Sequence, residues 1–465
     1  MNKENNLSRR SFLKTSALAG TVGMIGGGAT GLLSSCNSNN NNNNGGKVPL
    51  RESGSYYIPN LPDLAEDGKE LKAGVIGCGG RGSGAAMDFL NSANNVTIIA
   101  LGDIFEEKVN TLAETLKKEK DIDISDEMRF VGLDAYKKVI DSGVDVVLEC
   151  SSTFFRPTHF EYIVKKNKHC FLEKPLFVDA VGYRKVMATA KQAEAKKLNV
   201  IIGTVRHHQR SYVESFKHIM DGAIGEITGG NVKYNASQMW FRNRQPGWSD
   251  FEYMIKDWYS WRWLSGDFIV DQHIHSIDAF IWLTGLKPMS ALSFGSRHRR
   301  VTGDQYDNFS TDFIMENGVH LHSMCRQIDG CTNNVSNFIQ GTKGSWSGTG
   351  VVRGDVMIKD LAGNVIWQFD EEEEKAKYKQ VSPYVLEHVN LVNCIRNGRS
   401  IEQASEIAVS NMAAMMARES AYTGQEVAWD EMTASTLDYT PSDLSIDGKM
   451  DMSSFIPPVP GKGKG

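Results

Sequence analysis

Glu173-Lys174-Pro175 follows the short apolar run Cys170-Phe171-Leu172, and far downstream comes Asp271-Gln272-His273-Ile274-His275-Ser276-Ile277-Asp278. An ammonium and an imidazole are what oxidation of an alcohol asks for. The ammonium bonds the reacting hydroxyl and favours its alkoxide, and the imidazole takes up a proton near neutral pH. The tripeptide sits at the end of a predicted strand, where open α/β sheets bind their ligands. A surface ion pair is the plainer reading of Glu173 and Lys174, and that position argues against it. If residues 271–278 are helical, positions 271, 275, 278 and 282 share one face. Asp271 then orients His275 or bonds a sugar hydroxyl; a structural His–Asp pair at a helix start is the alternative. Just upstream, Trp258-Tyr259-Ser260-Trp261-Arg262-Trp263 offers rings that suit the apolar faces of sugars. Arg262 suits hydroxyls or a carboxylate, and Trp240 and Trp248 extend the same wall. A hydrophobic flap explains these residues equally well. Arg206, His273, Trp258, Trp261 and Arg262 are the candidate substrate-binding residues, and Lys174, His275 and Asp271 the candidate catalytic ones.

The cofactor for such chemistry is written earlier in the chain. Gly77-Cys78-Gly79-Gly80-Arg81-Gly82 follows the apolar run Ala73-Gly74-Val75-Ile76 and opens a predicted helix. That is the context in which a glycine triplet signals a dinucleotide site. Gly77 allows the tight turn, Gly79 lets backbone approach a pyrophosphate, and Gly82 lets the helix pack closely. The helix N-terminal amides then face the phosphates. Asp103, at the end of the next strand, is placed to accept the adenosine ribose hydroxyls. A carboxylate there repels a 2′-phosphate, which favours NAD over NADP, although Arg81 offsets this if it swings toward the ribose. Ser151, Glu173 and Lys174, each just past a predicted strand, and His159 join Gly80 as further candidate cofactor ligands.

These residues need a frame. Strands at 75–76, 95–101, 144–148, 170–172 and 200–203 alternate with helices at 83–91, 105–118, 159–166 and 183–196. Such alternation predicts parallel pairing with right-handed crossovers. Strands at 227–234, 319–325 and 338–341 then read as a mostly antiparallel sheet, with helices at 384–396 and 401–423. The expected fold is α/β: an N-terminal doubly wound Rossmann sheet over 71–175, then an α+β substrate domain over 176–435 with a large antiparallel sheet. Residues 436–465 read as an extended tail, and the acidic run 370–374 as a solvated loop.

The chain has 465 residues, 41% hydrophobic, with net charge −5. That supports more than one domain and gives no basic face for nucleic acid. Residues 1–36 read as an export leader: Ser8-Arg9-Arg10-Ser11-Phe12-Leu13-Lys14 is a twin-arginine motif. The stretch after it, 17–33, is too mild for a membrane span, which needs about 20 predominantly apolar residues. It ends Leu33-Ser34-Ser35-Cys36, similar to a lipobox in which Cys36 accepts a lipid; a plain signal peptide with a chance cysteine is the alternative. Residues 37–70 read as an Asn-rich tether and an irregular lead-in. The expected location is the periplasm or cell envelope, with membrane contact only through the lipid. No close Cys-x-x-Cys pair occurs among the seven cysteines. Cys325 and Cys331 have the spacing for a disulfide, but spacing does not establish geometry. In a helix His273 and His275 point about 200° apart, and His320 and His322 lack an evident third ligand, so no metal is expected.

Taken together these motifs resemble the Gfo/Idh/MocA oxidoreductase family over residues 71–435. The resemblance rests on the glycine turn, Asp103, His159, Glu173-Lys174-Pro175, Asp271-x-x-x-His275-x-x-Asp278 and Ser420-Ala421-Tyr422-Thr423-Gly424. It implies a Rossmann domain, a sheet domain that often oligomerises through its sheet, and catalytic Lys174 and His275 assisted by Asp271. His273 stands where the family often has a small residue, which leaves the division of labour between His273 and His275 open. Exported members are also similar to glycoside hydrolase family 109, which uses NAD without net consumption. The expected function is NAD-dependent oxidation of a ring hydroxyl of a sugar or glycoside, at C3, with the cofactor bound and recycled. A glycosidase working by oxidation, elimination, hydration and reduction is the alternative, and a cofactor-bearing lipoprotein without turnover a second. An exported protein that folds around NAD first does not need a cofactor pool outside the cytoplasm.

Overall fold

Ala73, Val75 and Ile76 are buried on both faces of their strand, as a parallel sheet covered by helices on either side requires. The computed structural model describes residues 56–461. The twin-arginine motif, Cys36 and the Asn tract lie outside the described residues. Six strands form the first sheet: β1 (Leu71–Ile76), β2 (Val96–Asp103), β3 (Arg129–Val131), β4 (Val146–Glu149), β5 (His169–Leu172) and β6 (Val200–Ile202). Their order is β3-β2-β1-β4-β5-β6 and every pairing is parallel. Between β1 and β4 the winding reverses, and an open α/β sheet leaves a crevice at that switch point. Helices α1 (Gly80–Leu90), α2 (Glu106–Lys120), α3 (Ala135–Asp141), α4 (Arg156–Lys165) and α5 (Ala180–Ala195) make the crossovers.

The sheet corrects the boundary expected at residue 175. The chain does not leave the nucleotide domain after Lys174-Pro175. It crosses back through α5, capped by Asp179 on Gly182 N, and adds β6 beside β5.

The second sheet has nine strands in the order β14-β13-β12-β11-β7-β10-β9-β8-β15. These are β7 (Ile227–Ala236), β8 (Pro288–Ser296), β9 (Asn308–Met315), β10 (His320–Gln327), β11 (Asn334–Gly341), β12 (Gly344–Thr349), β13 (Val356–Asp360), β14 (Val365–Gln368) and β15 (Val427–Ala428). All pairings are antiparallel except β7 with β10. Burial alternates along β9, with Phe309, Thr311, Phe313 and Met315 inward, the period of a sheet with one covered face. Helices α6 (Arg210–Met220), α7 (Asp250–Lys256), α8 (Phe268–Asp271), α9 (Ile274–Thr284), α10 (Pro383–Arg396) and α11 (Ala404–Thr423) complete the domain. The wholly buried α9 lies on β7 and β11, α11 packs on α9, β8 and α5, and α10 reaches back onto α1. Leu292, Phe294, Ile314 and Phe338 are exposed on the uncovered face.

Three smaller expectations change. Residues 436–461 are irregular but strapped down: Tyr439 N donates to Asp179 Oδ2 at 2.9 Å, and Phe455 packs edge-on against Trp261. The acidic run forms a short helix, Glu371–Lys377, capped by Asp370, and Glu374 pairs with Arg210 at 3.2 Å. Cys325 and Cys331 are both free, because the first points into the core from β10 while the second is exposed.

Candidate functional site

The glycine turn joins β1 to α1 at the switch point. Gly77 has φ +84°, and a Cβ there would lie 2.6 Å from Ser151 N. A Cβ on Gly82 would lie 1.8 Å from Gly77 O, so only hydrogen lets α1 sit on the turn. Gly79 and Gly80 differ: a Cβ on either would meet no protein atom within 4 Å. Their open side belongs to a cavity of about 490 Å³ that also touches Asp103, Ser151, His159 and Tyr136. A helix N-terminus, two glycines facing empty space and an acid at the next strand's end are what a dinucleotide needs, so these residues fit NAD.

Asp103 braces the turn. Its Oδ2 accepts from Cys78 N at 2.7 Å and its Oδ1 from Phe105 N at 3.0 Å. Each oxygen keeps a further lone pair for a ribose hydroxyl. Arg81 does not swing toward that ribose. Its Nε donates to Glu173 Oε1 at 2.5 Å and its Nη1 to Asp88 Oδ2 at 3.2 Å. Glu173 is therefore not a cavity wall but an anchor: it holds Arg81 and accepts from Lys174 N at 3.2 Å.

Ser151 and His159 do face the cavity. Behind them is a carboxylate that the sequence reading overlooked, Glu149 at the end of β4. Its Oε1 accepts from Ser151 Oγ and lies 3.0 Å from His159 Nδ1, and its Oε2 takes Arg156 Nε at 2.8 Å. Burial works to raise the Glu149 pKa, but Arg156 and His159 hold it below the usual carboxylate value. His159 stacks on Tyr136 with ring centroids 4.1 Å apart. An acid closing an apolar strand with an arginine seven residues on was the available signal.

Lys174 leads into a cis Lys174–Pro175 peptide, and its Nζ donates to the carbonyl oxygen of Asp271 at 2.5 Å. The expected continuous helix is broken there: α8 ends at Asp271 and α9 starts at Ile274. The Asp271 carboxylate accordingly does not bond His275 among the described residues. Its Oδ2 accepts from Gln272 Nε2 at 2.6 Å, and Gln272 Oε1 accepts from Tyr234 at 3.2 Å. The His275 ring is nearly buried and has no hydrogen-bond partner among the described residues. Burial, then the Lys174 ammonium, then Arg206 push its pKa well below 6.5. A group with a depressed pKa is neutral above that value, so the imidazole is a free base at pH 7. An NMR titration of His275 is expected to show its midpoint below pH 6.5, moving upward in Lys174→Gln as the neighbouring charge is lost. A midpoint at or above 6.5 in the unaltered protein overturns this.

Several candidate substrate residues take other places. Arg206 is fully buried, with Nη1 donating to His275 O at 2.6 Å and Nη2 to Gly350 O at 3.0 Å, so it clamps the backbone of His275 from below. His273 is buried with Nε2 at 2.6 Å from Ser323 Oγ, and desolvation takes its pKa down to about 3. His273 therefore points into the sheet, toward β10. Trp261 lies against Tyr253 and Phe455 in the core. Arg262 is held by Asp304 at 2.8 Å. Their aromatic neighbours Trp258, Trp240 and Trp248 do line the cavity, joined by Arg242 and Lys256. Asp278 pairs with His207 at 2.8 Å, and Trp282 stacks on His207, which puts both inside the core. Among the described residues no group of three or more His, Cys, Asp or Glu is arranged to hold a metal ion.

A sheet of this order with a glycine turn at its switch, joined to a nine-stranded sheet whose α9 presents His275 beside Lys174, defines a two-domain NAD-binding protein. Residues 71–203 match the oxidoreductase family with an NAD-binding Rossmann fold, and residues 214–347 match the GFO/IDH/MocA C-terminal domain, together more than half of the chain. The chain belongs to the Gfo/Idh/MocA family. It is 30% identical over 216 residues to inositol 2-dehydrogenase of Paracoccus denitrificans, covering 46% of this chain and 54% of that protein. It is 26% identical over 231 residues to myo-inositol 2-dehydrogenase of Thermotoga maritima, covering 49% and 58%. The match thus spans little more than half the length of these curated relatives. The fold is similar to that of an aldose-aldose oxidoreductase from Caulobacter crescentus crystallised with glycerol (TM-score 0.62, 18% identity, 77% of this chain and 99% of that one). It is also similar to an oxidoreductase from Agrobacterium radiobacter in complex with NAD+, L-tartaric acid and magnesium (TM-score 0.59, 16% identity, 78% and 99%).

Proposed function

We propose that this protein is an NAD-dependent oxidoreductase that oxidises a ring hydroxyl of a sugar, glycoside or cyclic polyol. The observation that carries the reading is the placement of the Lys174 ammonium, which donates to Asp271 O, beside the nearly buried His275 imidazole, which has no hydrogen-bond partner among the described residues. NAD, when bound, accepts the hydride from the substrate carbon. The ammonium of Lys174 bonds the reacting oxygen and stabilises its negative charge, while a His275 ring nitrogen takes the hydroxyl proton. Asp271, its Oδ2 fixed by Gln272, has Oδ1 left to accept from a neighbouring hydroxyl. The relatives named inositol 2-dehydrogenase favour a polyhydroxylated ring as the substrate; C3 is the position we assign on a sugar.

In this reading NAD stays bound through turnover. Support comes from the cavity's roof, built by Trp240, Arg242, Trp248 and Trp258 of the second domain. Lys256 ties that roof to the nucleotide domain, 2.9 Å from Glu107 and over the Phe105 ring. Denaturing the dialysed protein is expected to release NAD. A panel of inositols, hexoses and aryl glycosides, followed by both reduced-nicotinamide absorbance and aglycone release, then tests the reaction. Absence of any redox turnover sinks the proposal, and aglycone release without net reduced cofactor replaces it with the glycosidase cycle.

We further place the protein in the cell envelope, exported by its twin-arginine leader and held by a lipid on Cys36, and self-associated through the exposed apolar face of the second sheet. Sedimentation with membranes that Cys36→Ser abolishes, and a detergent-corrected mass above one chain, are the expected results.

A further inference from the structure

We infer that Arg156 is a positioning residue for Lys174, coupling the cofactor-side wall of the cavity to the turn that carries the ammonium. The inference rests on the reading that Lys174 meets the reacting hydroxyl.

Arg156 opens α4 and is 3% exposed. Its Nε donates to Glu149 Oε2 at 2.8 Å, and its Nη1 to the carbonyl oxygen of Pro175 and to Thr153 Oγ1 at 3.4 Å. Its Nη2 donates to the carbonyl oxygen of Ser151. Only a planar fork of donors spans four acceptors in these directions; a lysine ammonium is a point charge. Pro175 has no N–H, so the chain past Lys174 cannot be held by a donated bond at that residue. Its carbonyl is the handle that remains, and Arg156 takes it.

On the other side of Lys174, the backbone N–H is held by Glu173, which Arg81 holds in turn. The lysine is thus fixed at one flank by the buried Arg156 and at the other by the half-buried Arg81, and its side chain then spans to Asp271 O at 2.5 Å. A shift of the Pro175 carbonyl moves the point from which Nζ reaches its target. The same Glu149 that carries Arg156 also takes Ser151 Oγ and His159 Nδ1, two groups on the cavity wall. Those groups and the Lys174 turn share one carboxylate.

A purely structural ion pair explains less. A buried pair repays little of its desolvation cost and often does no better than apolar residues of the same volume. What an apolar pair lacks is the bond to Pro175 O. Misplacing a reacting group by about 1 Å costs about 10²-fold in rate. Arg156→Lys and Arg156→Gln are therefore expected to lower kcat by about 10- to 100-fold while KM for the substrate stays within about twofold. Added guanidinium is expected to restore part of kcat in Arg156→Gly.

Competitive acylation with peptide mapping supplies a readout independent of turnover. The labelling rate of Lys174 relative to the exposed Lys118 is expected to change at least several-fold in both variants, with NAD present and substrate absent. Glu149→Gln keeps Arg156 in place with a neutral partner and is expected to move Lys174 labelling the same way by less. Unchanged Lys174 labelling in whichever of these variants folds overturns the inference, as does a kcat loss that guanidinium does not touch. If the unaltered protein oxidises nothing, the functional reading fails, and the labelling comparison still decides whether Arg156 positions Lys174.

Discussion

Lys174→Ala is expected to lower turnover by about 10²–10⁴-fold, the range for a lost proton-handling group in the reacting pair, while the bound NAD content stays at the level of the unaltered protein. The two halves of this result have separate causes. The ammonium faces Asp271 and His275 rather than the wall of the cofactor cavity, which is built from the glycine turn, Asp103, Ser151 and His159. Its removal leaves those contacts intact. The chemistry suffers twice, because no cation remains to meet the forming alkoxide and His275 loses the charge that helps keep it neutral. The acid limb of any residual activity therefore moves to higher pH. Turnover at the unaltered rate removes Lys174 from the mechanism, and loss of NAD together with turnover shows that the residue belongs to the cofactor site.

The nucleotide domain could be read from the sequence because its strands are buried on both faces. Residues 146–148 and 170–172 are unbroken apolar runs, and the glycine turn and Asp103 fall at fixed places relative to them. The third strand escaped notice because Arg129–Val131 is three residues long and half exposed. The second sheet was legible only in part for a related reason. Three of its strands were expected and nine are present. Its outer face carries Leu292, Phe294, Ile314 and Phe338 where alternation calls for polar residues, which blurs the pattern, and β8 begins at Pro288 and contains Gly295.

The site divides in the same way. Gly77, Asp103 and Lys174 are set by local pattern, a strand and the turn that ends it. Residue type alone does not give direction for the others. Arg206 finds Gly350, Arg262 finds Asp304, His273 finds Ser323 and Trp261 finds Phe455, partners from 42 to 194 residues away. Each is pulled out of the cavity by a contact that no local window contains. Glu149 and Arg156 are the reverse case, a local pair whose purpose appears only when β4 and β5 lie side by side.

Within the glycine turn, space kept for packing and space kept for a ligand can be told apart by adding one methyl group. Gly82→Ala is expected to abolish NAD binding and destabilise the protein by about 1–3 kcal/mol, the usual cost of overpacking. Its Cβ would stand 1.8 Å from Gly77 O, against backbone that is itself pinned by Gly102 O at 2.8 Å and by the Asp103 bond to Cys78. The only relief is for α1 to lift away from the turn, which carries the helix N-terminus off the phosphates. Gly79→Ala meets none of this. Its φ of −72° and ψ of −169° suit any residue, and its Cβ would touch no protein atom within 4 Å. The thermal midpoint of Gly79→Ala is therefore expected to match the unaltered protein while NAD affinity falls by at least about tenfold, or 1.4 kcal/mol, because the methyl occupies the approach to the pyrophosphate. Calorimetric titration of NAD into apo protein, beside a melting curve, reads both quantities. Full NAD affinity in Gly79→Ala means that the open side of the turn is not where the dinucleotide lies. A melting point that drops equally in both variants means that the emptiness around Gly79 serves the fold.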